Sequence, residues 1–485
     1  MKTVNRALVA AIASLGLQTT YASEAVLVGG GYDVHGSQGQ IELNVKWVQS
    51  VLEDQGIPTS TFFTDGDVTG ADVHYQLTDE QTNSAFEPLA RVFGDWVLHK
   101  RRYREHTVDN VIGSTRSDQL VPALQDIIDN TSDTSLLFVY NGHGSQSFST
   151  PDQVTLNLWD NTTLSANELH SIVKRRKEPF RYVFTQCYSG GFHRLAYQHP
   201  SDGLEVSKSP RCGFTAESAY RLAEGCSASI ETDDYRDYTT YFFAALSGNE
   251  RDGEIVSRNP DSNEDGVTTL REAHLFTLEE AYSTDLSRSS SEDYLMNWQP
   301  WYLRWLPTPV NLPNNEYAQL FRTLASRNNI SLTKNAARDI RAQLNATQRL
   351  ITEAQHRRLE FRKQEHELQF SLQSSLTETW PALLGPYTGA YQKMAQDGEL
   401  ASVSSTISEL AEYNSLVAVQ NQDRGLDETL LDLERKATQY QKLLRLRHLA
   451  VLKQQLSEYG SNAQRADYES LLSCEDAPLQ SAQAQ

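Results

Sequence analysis

The chain has 485 residues, enough for about two or three domains. Hydrophobic residues make up 39% and charged residues 22%, a balance that excludes a chain that is disordered or of low complexity throughout. The formal net charge of −20 argues against nucleic acid as a partner of the whole protein, because its phosphates would be repelled.

The first residues have the pattern of a signal peptide, predicted over residues 1–22. Lys2 and Arg6 form a positive start, residues 7–17 form an apolar core, and Ala22 is the small residue that signal peptidases need. A short buried helix is the alternative. The core is too short to span a bilayer, which needs about 20 residues, and no later stretch is apolar enough. We therefore expect an exported protein, periplasmic or extracellular, with no transmembrane segment.

Residues 23–306 alternate between apolar runs typical of strands and segments with helical periodicity. Strands are predicted at 25–28, 60–63, 136–140, 181–185 and 211–217, and helices at 41–52, 119–128, 166–173, 239–246 and 270–282. Ser165 and Glu168 have the spacing of a capping box at the start of a helix. The alternation predicts an α/β domain with a mostly parallel sheet covered on both faces.

Prolines at 307, 309 and 313 mark a boundary, and the composition changes beyond it. Residues 310–485 are predicted to form an all-helical domain, with helical runs at 316–377, 387–420 and 426–458. Breaks are expected at Trp380-Pro381 and at Gly425. This region could be a bundle that buries its own apolar stripe. Alternatively, its helices regulate the first domain or bind a partner.

Two short motifs, each after a strand-like run, carry the candidate chemistry. One is Asn-Gly-His-Gly around His143, and the other is Gln-Cys-Tyr-Ser-Gly-Gly around Cys187. The carboxyl ends of parallel strands meet at one edge of a sheet, so these two side chains are expected there together. An imidazole beside a thiol promotes its ionisation and makes it a nucleophile. The backbone amides of Gly144 and Cys187 are then natural donors to an oxyanion.

This pair of motifs resembles the caspase–legumain group of cysteine peptidases, particularly its bacterial caspase-like members, over about residues 25–250. The resemblance implies a caspase-like three-layer fold and hydrolysis of a protein or peptide substrate through a thioester on Cys187. It also implies that Gln38, Thr185 and Gln186 help to shape the substrate pocket. Caspases carry Gln, legumains Glu and metacaspases Asp at the position of Thr185, so substrate preference does not transfer to this chain.

Two other functions are compatible with the same motifs. A catalytically silent relative would serve as a secreted binding or assembly module, which a buried thiol or one far from His143 would favour. A transpeptidase of the same fold would resolve the acyl-enzyme with an amine instead of water. The acidic residues at 231, 233, 234 and 237 could select Arg or Lys in a substrate, or could form an exposed acidic loop.

Residues 261–272 match the twelve-residue pattern of a calcium loop, with Gly266 at the sharp turn. Thr268 stands where an aliphatic residue is usual, and no second loop is apparent, so a single EF-hand-like or dockerin-like loop is expected. The alternative is a turn rich in Asp and Asn that caps a helix. No organic cofactor is expected. The predicted calcium ligands are Asp261, Asn263, Asp265, the carbonyl of Val267, Thr269 and Glu272.

The chain has four cysteines, at positions 187, 212, 226 and 474. An even number in an exported protein favours disulfides, but a nucleophilic Cys187 must stay free. One possible pairing joins Cys212 to Cys226 and leaves Cys474 unpaired. Spacing alone does not establish the geometry that a disulfide needs.

Overall fold

The computed structural model describes residues 22–67, 69–131, 134–147, 153–200, 204–305, 309 and 311–479. The predicted signal peptide lies outside these residues, except for Ala22. The strands are β1 (Ala22–Gly30), β2 (Thr59–Phe63), β3 (Val73–Gln76), β4 (Arg101–Arg104), β5 (Val111–Gly113), β6 (Thr134–Gln146), β7 (Val154–Leu158), β8 (Thr162–Ser165), β9 (Phe180–Phe184), β10 (Arg211–Thr215) and β11 (Arg288–Ser289). The helices are α1 (Gly39–Asp54), α2 (Glu87–Phe93), α3 (Ser117–Asn130), α4 (Ala166–Val173), α5 (Tyr238–Ser247), α6 (Leu270–Glu280), α7 (Ser290–Asn297), α8 (Glu316–Arg327), α9 (Ala336–Thr379), α10 (Gly389–Gln396), α11 (Glu399–Ser408), α12 (Ala411–Tyr459) and α13 (Asn462–Glu475).

A nine-stranded mixed sheet organises the first part of the chain, in the order β11-β10-β9-β6-β1-β2-β5. Every pair from β10 to β5 is parallel, and β11 is antiparallel at the edge. The end of β6 continues into an antiparallel extension formed by β7 and β8. The prediction of a mostly parallel sheet is therefore confirmed.

Helices cover both faces of this sheet, which gives three layers. Ala25 and Leu27 of β1 belong to a buried cluster with α1, α5 and α6. Val26 and Val28 point to the opposite face and pack with α3 and α4. Because successive side chains of a strand alternate between faces, an unbroken apolar run is what a strand buried on both faces requires.

Most predicted elements are present within a few residues of their expected ends. The helix at 166–173 is confirmed with its capping box, in which the Glu168 amide donates to Ser165 Oγ over 3.2 Å. A break at Gly425 is wrong, because this residue lies inside the 49-residue helix α12. A single glycine costs only about 1 kcal/mol in a helix, which the long packing of α12 against α9 offsets.

The C-terminal helices pack against the edge of the sheet. Residues of α8, α12 and α13 share one apolar cluster with α7 and with Cys212 of β10. A disulfide joins Cys212 to Cys474 of α13, so the predicted pairing with Cys226 is wrong. Cys212 is buried on the side that these helices cover, whereas Cys226 lies in a separate loop. A second cluster joins the far ends of α9 and α12 to α2. Among the described helices, none is both long and apolar enough to cross a membrane.

Candidate active site

His143 lies near the end of β6 with its ring held in one orientation. Its Nε2 is 2.9 Å from the carbonyl oxygen of Gly36 and 2.9 Å from Oε1 of Gln38, which precedes α1. A nitrogen that faces two acceptors carries the proton, so Nδ1 holds the free lone pair. Burial lowers the pKa of His143, although the bond to Gly36 and the charge of Asp33 oppose this effect. The ring is therefore a neutral imidazole that can accept a proton at Nδ1.

Cys187 follows β9, which pairs with β6 so that Phe184 is opposite Tyr140. The two motifs therefore meet at the carboxyl edge of the sheet. A side chain at Gly144 would place its Cβ 2.4 Å from the carbonyl oxygen of Cys187. Real Cβ atoms do not come so close, and only glycine allows this approach between the two motifs.

The thiol of Cys187 is engaged by the loop that follows β10. The amide of Ala223 donates to Sγ over 3.3 Å, and the carbonyl oxygen of Ala223 is 3.9 Å from Sγ. Burial raises the pKa of Cys187, and the charges of Asp285 and Glu217 add to this effect. At neutral pH the group is thus a thiol and not a thiolate.

A second thiol, which the sequence analysis did not place here, contacts His143. Cys226 Sγ is 3.7 Å from Nδ1 of the imidazole. Cys226 is partly exposed, but the protein that surrounds its thiol raises the pKa of Cys226, with further contributions from Cys187, Asp237 and Asp285. Among the described residues, no hydrogen bond joins Cys187 to His143. No motif in the sequence marks Cys226, and only the Cys212–Cys474 disulfide of the structure identifies it as the second free thiol.

The loop that carries Ala223 and Cys226 is anchored on both sides of the site. We call residues 218–227 the strap. The amide of Tyr188 donates to the carbonyl of Arg221, and Gln146 Nε2 donates to the carbonyl of Ala219, each over 2.9 Å. At the other end, the amide of Ser227 donates to Gln40 Oε1 over 2.9 Å.

The three predicted substrate-pocket residues lie next to His143 or Cys187 and have different hydrogen-bond partners. Thr185 is buried and its hydroxyl donates to the carbonyl of Tyr140 over 3.1 Å. Gln186 is buried as well, and its side-chain Nε2 and Oε1 have no hydrogen-bond partner among the described residues. Gln38 holds the ring of His143. Gln186 is thus the one of the three whose side-chain amide is buried without a hydrogen-bond partner.

Buried carboxylates also lie close to the two thiols. Of the four predicted acids, Glu231, Asp233 and Asp234 are exposed, whereas Asp237 is 2% exposed. The carboxylate of Asp237 accepts a hydrogen bond from Asn44 Nδ2 over 2.8 Å. Asp285, which sequence reasoning missed, is buried and accepts from the amides of Glu224 and Tyr238 over 2.7 Å and 2.9 Å. Burial raises the pKa of Asp285.

The residues of the predicted calcium loop form a tight turn in which backbone amides donate to side-chain oxygens. Gly266 has a φ of +89°, and its amide donates to Asp261 Oδ2 over 2.8 Å. The amide of Asp265 donates to Asn263 Oδ1 over 2.8 Å. Thr269 caps the start of α6, and Glu272 is the other member of its capping box.

The oxygen ligands of this loop fit a calcium ion in type but are partly used within the protein. Both oxygens of Glu272 accept hydrogen bonds, one from Ser262 and Asn263 and the other from Thr269. An ion would have to replace these bonds. In the part of the chain that the structure describes, no group of three or more His, Cys, Asp or Glu side chains is arranged to hold a metal.

Comparison with known proteins leaves the site to be interpreted from its own residues. No protein-family model matches this chain, and no curated protein matches it. The resemblance to the caspase–legumain group therefore depends on the motifs at His143 and Cys187, and the activity that it implies is a proposal.

Proposed function

We propose that this protein is a cysteine endopeptidase of the caspase–legumain type, with Cys187 as nucleophile and His143 as general base. The observation that carries the proposal is the neutral imidazole of His143. Gly36 and Gln38 hold the proton on Nε2 and leave Nδ1 as the acceptor, at the same sheet edge as Cys187. A nucleophile, an oriented base and glycines that admit a substrate backbone form the set that acyl transfer needs.

The reaction follows from the protonation states of the two groups. Nδ1 of His143 takes the proton of the Cys187 thiol as Sγ attacks the carbonyl carbon of the substrate, and a C–S bond forms. The amides of Gly144 and Cys187 donate to the resulting oxyanion. The C–N bond then breaks as His143 gives its proton to the leaving amine. Water hydrolyses the thioester, which releases the second product and restores the thiol.

A catalytically silent binding module is the second candidate, and specific observations favour it. The thiol of Cys187 has a raised pKa, and its hydrogen bonds go to Ala223 and not to His143. A protein that never ionises this thiol would use the fold for binding only. The two candidates differ in whether Cys187 becomes reactive toward a peptide.

Export and calcium binding belong to the same proposal. The disulfide between Cys212 and Cys474 supports export to a periplasm or the cell exterior, because such bonds persist in oxidising compartments.

We infer that residues 261–272 bind calcium at the start of α6. Bound calcium would stabilise α6, whose His274 is hydrogen-bonded to Tyr238 over 3.1 Å on the neighbouring α5.

The test is covalent labelling of the purified mature protein by a peptide that carries a thiol-directed acylating group. Mass spectrometry locates the label in the wild type, in Cys187→Ala and in His143→Ala, each with calcium and with a chelator. Cys226→Ala is the matched control, because it removes the other free thiol. We expect a label on Cys187 that His143→Ala abolishes and that Cys226→Ala does not reduce. Equal labelling of Cys187 with and without His143 would contradict the proposed base.

A further inference from the structure

The strap occupies the space that a substrate would need. The amide of Ala223 is in contact with Sγ of Cys187, and the thiol of Cys226 is in contact with Nδ1 of His143. A carbonyl carbon must come within about 3.5 Å of the nucleophile to react. Since Ala223 already fills that position, a substrate and the strap exclude each other.

Two side chains of the strap, Arg221 and Glu224, lie on either side of Ala223 in the sequence and contact helix α12. Arg435 of α12 forms an ion pair and a hydrogen bond with Oε1 of Glu224. The guanidinium of Arg221 donates to Oε1 of Gln441 and, over 3.4 Å, to the hydroxyl of Thr438. The strap is thus fastened by the C-terminal helices as well as by the domain that carries the candidate dyad.

The same helix also holds the segment beneath the strap. Thr438, Lys442 and Arg445 follow Arg435 at helical spacing, and each donates to a backbone carbonyl of residues 281–286. That segment includes Asp285, which accepts from the amide of Glu224 over 2.7 Å. One polar face of α12 therefore contacts both the strap and the segment that packs against the strap. We call the contacts of this face with the strap and residues 281–286 the clamp.

We propose that the strap keeps the site latent and that the clamp decides whether the strap stays in place. The proposal rests on the proposed peptidase function and adds its regulation. Loosening the clamp lets the strap leave, so that Cys187 meets His143 and a substrate. The helices remain attached when this happens, because the Cys212–Cys474 disulfide holds α13 on β10 independently of the clamp. Activation is then a rearrangement of the strap and does not require loss of the C-terminal region.

The test compares the full-length protein with Arg435→Met, which removes the cation that faces Glu224 but keeps a long side chain. The first measurement is the rate at which iodoacetamide alkylates Cys187, mapped by mass spectrometry. The second is hydrolysis of a mixed library of fluorogenic peptides. We expect both rates to rise about tenfold in Arg435→Met, the effect of losing one charge-assisted contact. Arg435→Lys should give a smaller increase.

Arg358→Met is the matched control, because Arg358 of α9 forms an ion pair with Asp427 of the same helix α12, outside the clamp. It should leave both rates unchanged. Glu224→Gln breaks the clamp from the strap side and replaces Arg435→Met if that variant does not fold. Unchanged alkylation in a folded clamp variant would overturn the proposal. Faster alkylation without hydrolysis of any peptide would support the strap and contradict the peptidase function.

Discussion

The C-terminal helices touch the sheet domain in two ways that differ in kind. The first contact, which we call the base, joins α13 to β10 and α7 through the Cys212–Cys474 disulfide and the buried carboxyl group of Glu475. Glu475 of α13 accepts hydrogen bonds from the hydroxyls of Ser290 and Ser291, each over 2.7 Å, inside an apolar cluster. At the clamp, by contrast, the contacts of α12 are polar. The outer pair, Arg435 and Glu224, has side chains that are 18% and 17% exposed, whereas Thr438, Lys442 and Arg445 are buried against residues 281–286.

This difference suits two roles: the base attaches the C-terminal helices to the sheet domain, and the clamp holds the strap over Cys187. The base is covalent and surrounded by apolar side chains, so it is lost only when the protein unfolds. The contact between Arg435 and Glu224 can be exchanged for water at a net cost of about 1–3 kcal/mol. A free energy of this size allows the strap to be released reversibly. The contrast predicts that changes at the base affect stability, and changes at the clamp affect the site.

The largest effect is expected from removal of the disulfide. Cys212→Ser together with Cys474→Ser should lower the free energy of unfolding by about 4 kcal/mol, because the bond closes a very long loop in the unfolded chain. Urea unfolding of the variant and the wild type measures this difference. Cys226→Ser, which changes a free thiol, should leave the stability almost unaltered. Equal losses in the two cases would contradict the structural role of the base.

The next effect is a pH dependence of the base. Burial raises the pKa of Glu475 to about 7 from 4.5, although hydrogen bonds from Ser291 and Ser290 and the charge of Arg271 oppose this rise. The folded state therefore binds the proton more tightly than the unfolded state. The resulting stability is present in full below about pH 4.5 and is lost as the pH rises through about 7.

The size of this loss is about 3 kcal/mol. Unfolding by urea across this pH range, in the wild type and in Glu475→Gln, measures it, because the amide does not titrate. The wild type should lose stability relative to Glu475→Gln as the pH rises. A constant difference between the two proteins would show that Glu475 is ionised throughout.

A smaller loss of stability is expected at the clamp. Burial alone would raise the pKa of Glu224, but the bonds from Arg435 and Thr284 outweigh it and lower the pKa. Arg435→Met should cost about 1–2 kcal/mol in urea unfolding, since Glu224 keeps its bonds from Ser283 and Thr284. A cost as large as that of the disulfide would mean that the clamp is part of the structural core and not a releasable contact.

The smallest effect is expected where α9 and α12 form an exposed ion pair. The side chains of Arg358 and Asp427 are 28% and 42% exposed, and such pairs contribute about 0.5 kcal/mol. Arg358→Met should therefore melt within a degree or two of the wild type by circular dichroism. A large drop in its melting temperature would remove it as a control for the clamp and would extend the rigid attachment along α12.

Prediction from the sequence succeeded where the signal is local. The strands β1, β6 and β9 each contain a run that is mostly apolar, because a strand in the middle of a parallel sheet is buried on both faces. The placement of the His143 and Cys187 motifs at one edge of the sheet followed from this, because each motif lies at the end of such a strand. The capping box at Ser165 was also visible, since its partner is three residues away.

Prediction failed or was silent where structure depends on distant contacts. The ribbon of β3 and β4 was not predicted, because Arg101–Arg104 is polar and has no apolar alternation. The partner of Cys212 lies 262 residues away, so spacing pointed to the wrong cysteine. Asp285 and Cys226 reach the site from separate loops that carry no motif of their own.

The sequence by itself determined the alternation of strands and helices, the helical C-terminal region and the position of the two motifs. These depend on periodicity and on residues a few positions apart. Only the tertiary structure decided the disulfide, the hydrogen bonds that orient the ring of His143 and the placement of the strap between Cys187 and helix α12. These depend on which faces meet across hundreds of residues, and the free energy of that choice comes from packing that no short segment encodes.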